Sequence, residues 1–318
     1  KLLLPFRFLN NCWTLKKVKA PIWKPSLNRI EDSNMTAFMT FVADKFGFVG
    51  KDYDDLYKWS VEDPSAFWKA MWEFSRIKFS KPYKAVVDDI AKMPGASWFE
   101  GAELNFAENL LRPSINTNNN SKTALVFRGE NDRRVELSYQ SLQDQVSQLA
   151  QAFQAMDVQQ GDRIAAFMPN CVETVIGMLA ATSLGAVWSS CSPDFGINGV
   201  FDRFSQITPK VLIATDGYFY NGKKINALPR VLEIGEKIKS IESIILVNFI
   251  DTFNVHELSD ETNVVEWEQV LDKFLPAPLD FKQVPFNHPL YILYSSGTTG
   301  TPKCIVHSVG GTLIQHLK

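Results

Sequence analysis

Residues 291–306 read YILYSSGTTGTPKCIV. Two apolar segments, 291–294 and 304–306, bracket a run of hydroxyls, glycines and one lysine. Gly297 and Gly300 permit positive φ and close approach of a ligand to bare backbone. Successive N–H groups in such a turn form a concave nest for an anion. Ser295, Ser296, Thr298, Thr299 and Thr301 add hydroxyl donors, and Lys303 supplies a cation that reaches phosphate as a point charge. These are the groups that a triphosphate requires. A flexible Ser/Thr/Gly linker has the same composition, but linkers are not usually wedged between two apolar strands. The run is not the common GxxxxGK[ST] loop, because no Gly-Lys-Ser/Thr occurs. It is not GxGxxG either, so a nicotinamide site is unsupported.

Outward from this loop, apolar runs alternate with helical periodicity. Residues 123–127, 164–168, 186–188, 211–215, 244–247 and 290–294 read as strands. Ser138 can cap a helix that carries Leu142, Val146, Leu149, Phe153 and Met156 along one face. Residues 172–184 read as a helix with Gly185 in the C′ position that favours glycine. Further helices are expected over 198–206, 228–238 and 264–274. Such alternation implies an α/β fold of parallel βαβ units with both sheet faces covered. Sheets of this kind bind ligands at the carboxyl ends of their strands, which is where the 295–303 loop falls.

The earlier part of the chain differs. Residues 21–115 are rich in Trp, Phe and Tyr, best read as core packing. Over 63–79, Phe67, Ala70, Met71, Phe74 and Ile77 form the stripe of an amphipathic helix, with Asp63 as cap and Pro64 in the first turn. A second helix is expected over 86–93, stopped by Pro94-Gly95. Residues 116–122, NTNNNSK, are the best boundary. The division expected is therefore 1–20 unassigned and without periodicity, 21–115 a mostly helical aromatic-rich cap, and 116–318 an α/β domain. After Gly310-Gly311, residues 312–318 read as a helix just starting. With Lys rather than Met at position 1, this points to a fragment.

Bulk properties set the class. The chain has 318 residues, 45% hydrophobic and 21% charged, ordinary values for a globular protein. A net charge of −2 gives no general attraction to nucleic acid or anionic membranes. No apolar run reaches the ~18 residues that span a bilayer. Residues 1–9 are interrupted by Pro5 and Arg7, and no signal-peptide cleavage site follows closely. A cytosolic location is the expectation, so the sequons at Asn34 and Asn119 carry no weight. Cys12, Cys171, Cys191 and Cys304 form no CxxC pair, which leaves free thiols and no metal site.

The loop SSGTTGTPK resembles the signature phosphate loop of the adenylate-forming superfamily, and residues 162–170 resemble that superfamily's second core motif. Residues 98–111, WFEGAELNFAENLL, are similar to the segment that joins cap and main domain in acetyl- and acetoacetyl-CoA synthetases. Phe106 stands where Tyr is more usual, and Glu100 where Pro or Lys is. SCSPDFG at 190–196, DRFSQITP at 202–209, YDDLYKWS at 53–60 and the whole of 303–318 resemble the acetoacetyl-CoA synthetase branch. The resemblance covers about residues 21–318.

It implies the N-terminal part of the adenylate-forming large domain behind an N-terminal cap, without the small C-terminal domain. The implied activity is an ATP-dependent acetoacetate–CoA ligase of lipid and ketone-body metabolism, using ATP, Mg²⁺ and CoA; from charge and hydropathy, no nucleic-acid partner and no membrane span are expected. Another short-chain acyl-CoA synthetase, such as one for acetate, or a non-catalytic nucleotide-binding product are the alternatives. Ser295, Ser296, Gly297, Thr298, Thr299, Gly300 and Lys303 are assigned to ATP phosphates. Lys223 or Lys224, in Tyr220-Asn-Gly-Lys-Lys224, would hold a CoA phosphate or else form an ordinary solvated turn. His307 is either near the nucleotide or structural, and Trp188 and Phe195 line a pocket or pack the core. The superfamily's catalytic Lys, ribose-binding Asp, adenine-reading acidic motif and most of the acyl pocket lie downstream of this loop. The expectation is therefore no catalytic residue, no metal ligand and no ligase turnover in residues 1–318 alone.

Overall fold

The computed structural model describes residues 22–112, 121–252, 263–295 and 300–318. The expectations for residues 1–20, Cys12, the Asn119 sequon and residues 116–120 lie outside them. The chain divides into two compact units, Lys1–Pro64 and Ser65–Lys318.

The first unit carries helices Leu27–Glu31, Asn34–Phe46 and Tyr53–Glu62. Each begins at a side-chain cap, Ser26, Ser33 and Asp52, whose oxygen accepts from the backbone N–H three residues on. Among the described residues, Phe38, Val42 and Leu56 are its buried side chains.

The second unit is organised by a seven-stranded sheet. Its strands are β1 (Arg163–Phe167), β2 (Val187–Cys191), β3 (Val211–Thr215), β4 (Ser243–Val247), β5 (Val264–Glu266), β6 (Pro289–Ser295) and β7 (Lys303–Ser308). They lie in the order β5-β4-β3-β1-β2-β6-β7. The first six are parallel and β7 is antiparallel to β6. Alternate residues serve opposite faces, as strand geometry demands. Ile164, Ala166, Ile213 and Ile245 pack under helices α1 (Tyr139–Ala155), α2 (Val172–Ser183) and α5 (Trp267–Asp272). Ala165, Phe167, Leu212 and Leu246 pack under α3 (Ile197–Ile207) and α4 (Leu228–Lys237). The α/β expectation holds, with Ser138 capping α1 through Ser141 N.

Several expectations are corrected. Residues 86–93 are not helical: Ala85–Val87 is a strand paired with Trp98–Glu100. The Asp88 carboxylate accepts from the N–H groups of Asp89 and Ser97. Such local bonds compete with helix formation. The helix expected over 63–79 is Pro64–Phe74, and Arg76 turns left-handed at φ 49°. Asp63 is the C-cap of the preceding helix. Residues 264–266 form edge strand β5 rather than the start of a helix. The strand foreseen over 186–188 runs on to Cys191. Residues 123–128 form a strand, as expected, but in a separate hairpin with Arg134–Ser138. The closing helix, α6 (Val309–Leu317), starts three residues before the foreseen point, capped by Ser308. Its Gly310 is required by proximity, because a Cβ there would sit 2.0 Å from Phe286 Cδ2.

The segment 98–111 is pinned by two buried amides. Asn105 Nδ2 donates to the carbonyls of Thr182, Ser183 and Lys282, and its Oδ1 accepts from Glu108 N. Asn109 Oδ1 accepts from Lys78 N, and its Nδ2 donates to Lys78 O. Beside them Trp72 stacks on Phe99 at 4.7 Å, and Phe99 meets Phe286 at 4.8 Å. Truncating a fully bonded buried amide leaves carbonyls unsatisfied. Asn105→Ala is therefore expected to lower unfolding stability by about 2–4 kcal/mol, read from the midpoint of urea denaturation.

Candidate functional site

The hairpin β6–β7 carries the polar loop to the carboxyl end of the parallel strands. β6 pairs with β2 at Tyr291↔Trp188 and with β7 from Tyr291↔His307 through Ser295↔Lys303. Ser295 and Lys303 therefore face each other as the last pair before the loop. Ser295 is half-buried and Lys303 is exposed. Gly300 has φ 105°, and nothing lies within 4 Å of a Cβ placed there. Backbone conformation alone calls for glycine at that point. Ser296, Gly297, Thr298 and Thr299 lie outside the described residues.

The base of the loop is held from beneath and from the side. Ser189 Oγ donates to Ile292 O at 2.7 Å and lies 3.0 Å from Tyr294 Oη. Burial pushes the Tyr294 phenol well above its usual range, so it stays a neutral donor. Helix α3 lies alongside: Arg203 Cζ sits 4.8 Å from the Phe195 ring centroid and 5.6 Å from that of Tyr294. Arg230, on α4, donates to Phe195 O at 3.2 Å.

Sequence reasoning missed Asp216, which directly follows β3. It is fully buried. Its carboxylate accepts from Phe249 N, Ile250 N, Thr252 N and Thr252 Oγ1 at 2.7–3.2 Å. Its carbonyl accepts from Ala227 N and Leu228 N. One side chain thus ties the carboxyl ends of β3 and β4 together. The available signal was a charged residue between an apolar strand and a glycine, Thr215-Asp216-Gly217.

Next to these strand ends is a cleft of ≈ 260 Å³, lined among others by Asn170, Ser192, Asp194, Glu130, Tyr218 and Phe249. Lys223 and Lys224 are not part of its lining. They sit on a hairpin of Gly217–Tyr220 with Lys223–Asn226, turned by Asn221 and Gly222 at positive φ. Lys224 Nζ donates to Ile250 O at 2.8 Å, whereas Lys223 is exposed at the turn. His307 is exposed on β7, Trp188 is buried in the sheet core, and Phe195 is the surface on which Arg203 stacks. The structure thus pairs Ser295 with Lys303, sets Gly300 three residues before that lysine, and leaves Lys223 and Lys224 on a separate hairpin. Among the described residues, no group of three His, Cys, Asp or Glu side chains could hold a metal ion, and no helix is long and apolar enough to cross a membrane.

The family profile described as "AMP-binding enzyme" matches residues 113–318, and that described as "Acetyl-coenzyme A synthetase N-terminus" matches residues 53–110. The chain is 44% identical over 302 residues to an acetoacetyl-coenzyme A synthetase of Rhizobium meliloti (strain 1021), covering 95% of this chain and 45% of the relative. It is 42% identical to an acetoacetyl-CoA synthetase of Macaca fascicularis, with 93% and 44% covered. To a malonamoyl-CoA synthetase of Penicillium aethiopicum it is 36% identical, with 93% and 42% covered. Among solved structures it is similar to acetoacetyl-CoA synthetase from Streptomyces lividans, with a TM-score of 0.87, 38% identity, and 94% and 45% covered. The chain spans about half the length of the curated relatives it matches.

Three thiols are described, all free, and their environments separate them. Cys171 and Cys191 are buried, and burial pushes each thiol up to about 12. Cys304 is exposed on β7. A raised thiol pKa stabilises the folded state fully below the unfolded value near 9. That contribution is lost as pH rises from there toward about 12. Alkylation by iodoacetamide at pH 8 is expected to label the Cys304 peptide and spare Cys171 and Cys191 until denaturant is added. Mass spectrometry of the digest checks this, and early labelling of either buried thiol would contradict the assignment.

Proposed function

The chain belongs to the AMP-binding enzyme family, and on that premise we propose that it carries the phosphate-gripping part of an acetoacetate–CoA ligase. The observation that carries the reading is the β6–β7 hairpin, which sets Ser295, Gly300 and Lys303 at the carboxyl edge of a mostly parallel sheet.

In this reading a carboxylate oxygen of acetoacetate attacks the α-phosphorus of ATP. The bond from that phosphorus to the oxygen bridging to the β-phosphate breaks, and pyrophosphate leaves. The product is acetoacetyl-AMP, a mixed anhydride. The thiol of CoA then attacks its carbonyl carbon and AMP departs. Negative charge gathers on the leaving β,γ-phosphates in the first step. Donors already in place there stabilise the transition state without reorganising. Lys303 supplies the charge. Ser295, Ser296, Thr298 and Thr299 supply hydroxyl or N–H donors, and Gly297 and Gly300 keep the backbone accessible. Mg²⁺, entering with the triphosphate, would neutralise part of the same charge.

Acetoacetate is favoured as substrate because similarity to acetoacetyl-CoA synthetases extends over nearly the whole chain. The malonamoyl-CoA synthetase relative widens the class in a consistent direction. Acetoacetate and malonamate are both short acids with a carbonyl group at C3, so the proposed class is 3-carbonyl short-chain acids. Another short-chain acid such as acetate is the second reading. For the CoA phosphates the proposal keeps Lys223 and Lys224, with Lys223 the freer of the two, since Lys224 already donates to Ile250 O. The proposed division remains 21–115 as the cap and 116–318 as the AMP-binding domain, with 1–20 unassigned. Free thiols support action in the reducing cytosol.

In the full-length gene product, ATP–pyrophosphate exchange is expected to depend on acetoacetate, and a preference for acetate would remove the substrate assignment. Lys303→Ala is expected to slow exchange by about 10²-fold or more while the protein stays folded by circular dichroism. Undiminished exchange in that variant would remove the phosphate-loop assignment.

A further inference from the structure

Helix α3 touches both legs of the loop hairpin with two side chains three residues apart, and so on one helix face. On the incoming leg Arg203 lies over the Tyr294 ring, braced by a 2.6 Å bond from its guanidinium to Gly199 O. On the outgoing leg Gln206 Nε2 donates to Pro302 O at 3.0 Å and to Asp202 O at 2.5 Å. Gln206 Oε1 accepts from the Cys304 thiol at 3.6 Å. The Gln206 amide therefore grips the residues immediately before and after Lys303.

The need for such a grip follows from the chain itself. β7 begins at Lys303, so the Pro302 carbonyl lies beyond the strand pairing. Proline also brings no N–H that could extend the ladder. The protein partner this carbonyl finds comes from another element, the Gln206 amide on α3. Both donor hydrogens and the acceptor of the amide are engaged, which fixes its orientation. Because Lys303 is exposed and flexible at its tip, the direction of its Cα–Cβ bond depends on how the flanking peptides are held.

We propose that Gln206 is a positioning residue for Lys303, holding the outgoing leg of the loop so that the lysine ammonium reaches the terminal phosphates of the nucleotide. This rests on the phosphate-loop reading above. Gln206 touches no phosphate itself. It acts through Pro302 and Cys304. Arg203 performs the matching task on the incoming leg, by packing against Tyr294.

The test is calorimetric binding of inorganic tripolyphosphate to the full-length gene product and three variants: Gln206→Met, Lys303→Ala and the double. Methionine keeps the length and bulk of glutamine but cannot donate to Pro302 O, so a merely space-filling role would survive it. Gln206→Met is expected to weaken binding about three- to tenfold, with an unfolding temperature within about 2 °C of the parent. In the double variant the Gln206 substitution is expected to add nothing to the loss from Lys303→Ala, because the glutamine acts through that lysine. Parental affinity in Gln206→Met, or losses that add fully in the double, would overturn the proposal and leave the phosphate loop intact. A parental chain that binds no tripolyphosphate would overturn the loop reading and this proposal with it.

Discussion

The site depends on β6 being paired along both edges, in parallel to β2 and antiparallel to β7. With β7 paired from Tyr291 to Ser295 and β2 joined at Tyr291↔Trp188, β6 cannot slide, because a slip by one residue would turn Leu290 and Ile292 out of the core. That immobility is transmitted to the last pair, Ser295 and Lys303. In the proposed reading, this last pair fixes the two ends of the phosphate loop at the spacing of adjacent strands. Preorganisation of this kind lets donors act on developing charge without first being gathered.

Buried polar side chains do the remaining alignment. Ser189 bonds across from β2 to β6, Asp216 joins the ends of β3 and β4, and Asn105 fastens the 98–111 segment to the end of α2. All three are buried and bonded to backbone groups. Such groups are costly if left unpaired and direction-specific when paired. They choose one arrangement among the many that a uniformly apolar core would tolerate. The aromatic cluster of Trp72, Phe99 and Phe286 supplies area and contact, while the amides of Asn105 and Asn109 supply register.

The proposed function asks a chain with a net charge of −2 to hold a polyanion. The proposed attraction is local, made by one lysine and the hydroxyl and N–H groups that the 295–303 sequence offers, rather than by a charged surface. Locality has a cost in precision, since a single ammonium helps only if aimed. The contacts of α3 with both legs of the hairpin show where that aiming can come from, and they join elements that lie ninety-six residues apart in the chain.

The amino-acid sequence by itself determined the periodicities, and with them the alternation of strands and helices, the cap at Ser138, and the chemistry offered by 295–303. These are local properties, set by which residues lie two, three or four positions apart. Tertiary structure decided what local pattern could not. It made 86–93 a strand and a turn, because Asp88 and the partner strand Trp98–Glu100 offered better bonds than a helix. It began α6 at Val309, with Ser308 as its cap, and packed Gly310 against Phe286 where a side chain would not fit. It made Asp216 a tie between strands and placed Gln206 beside Lys303, since the partners of both come from distant segments. A long-range hydrogen bond leaves no periodic trace in a sequence, and only the folded chain says which polar residue has found its partner.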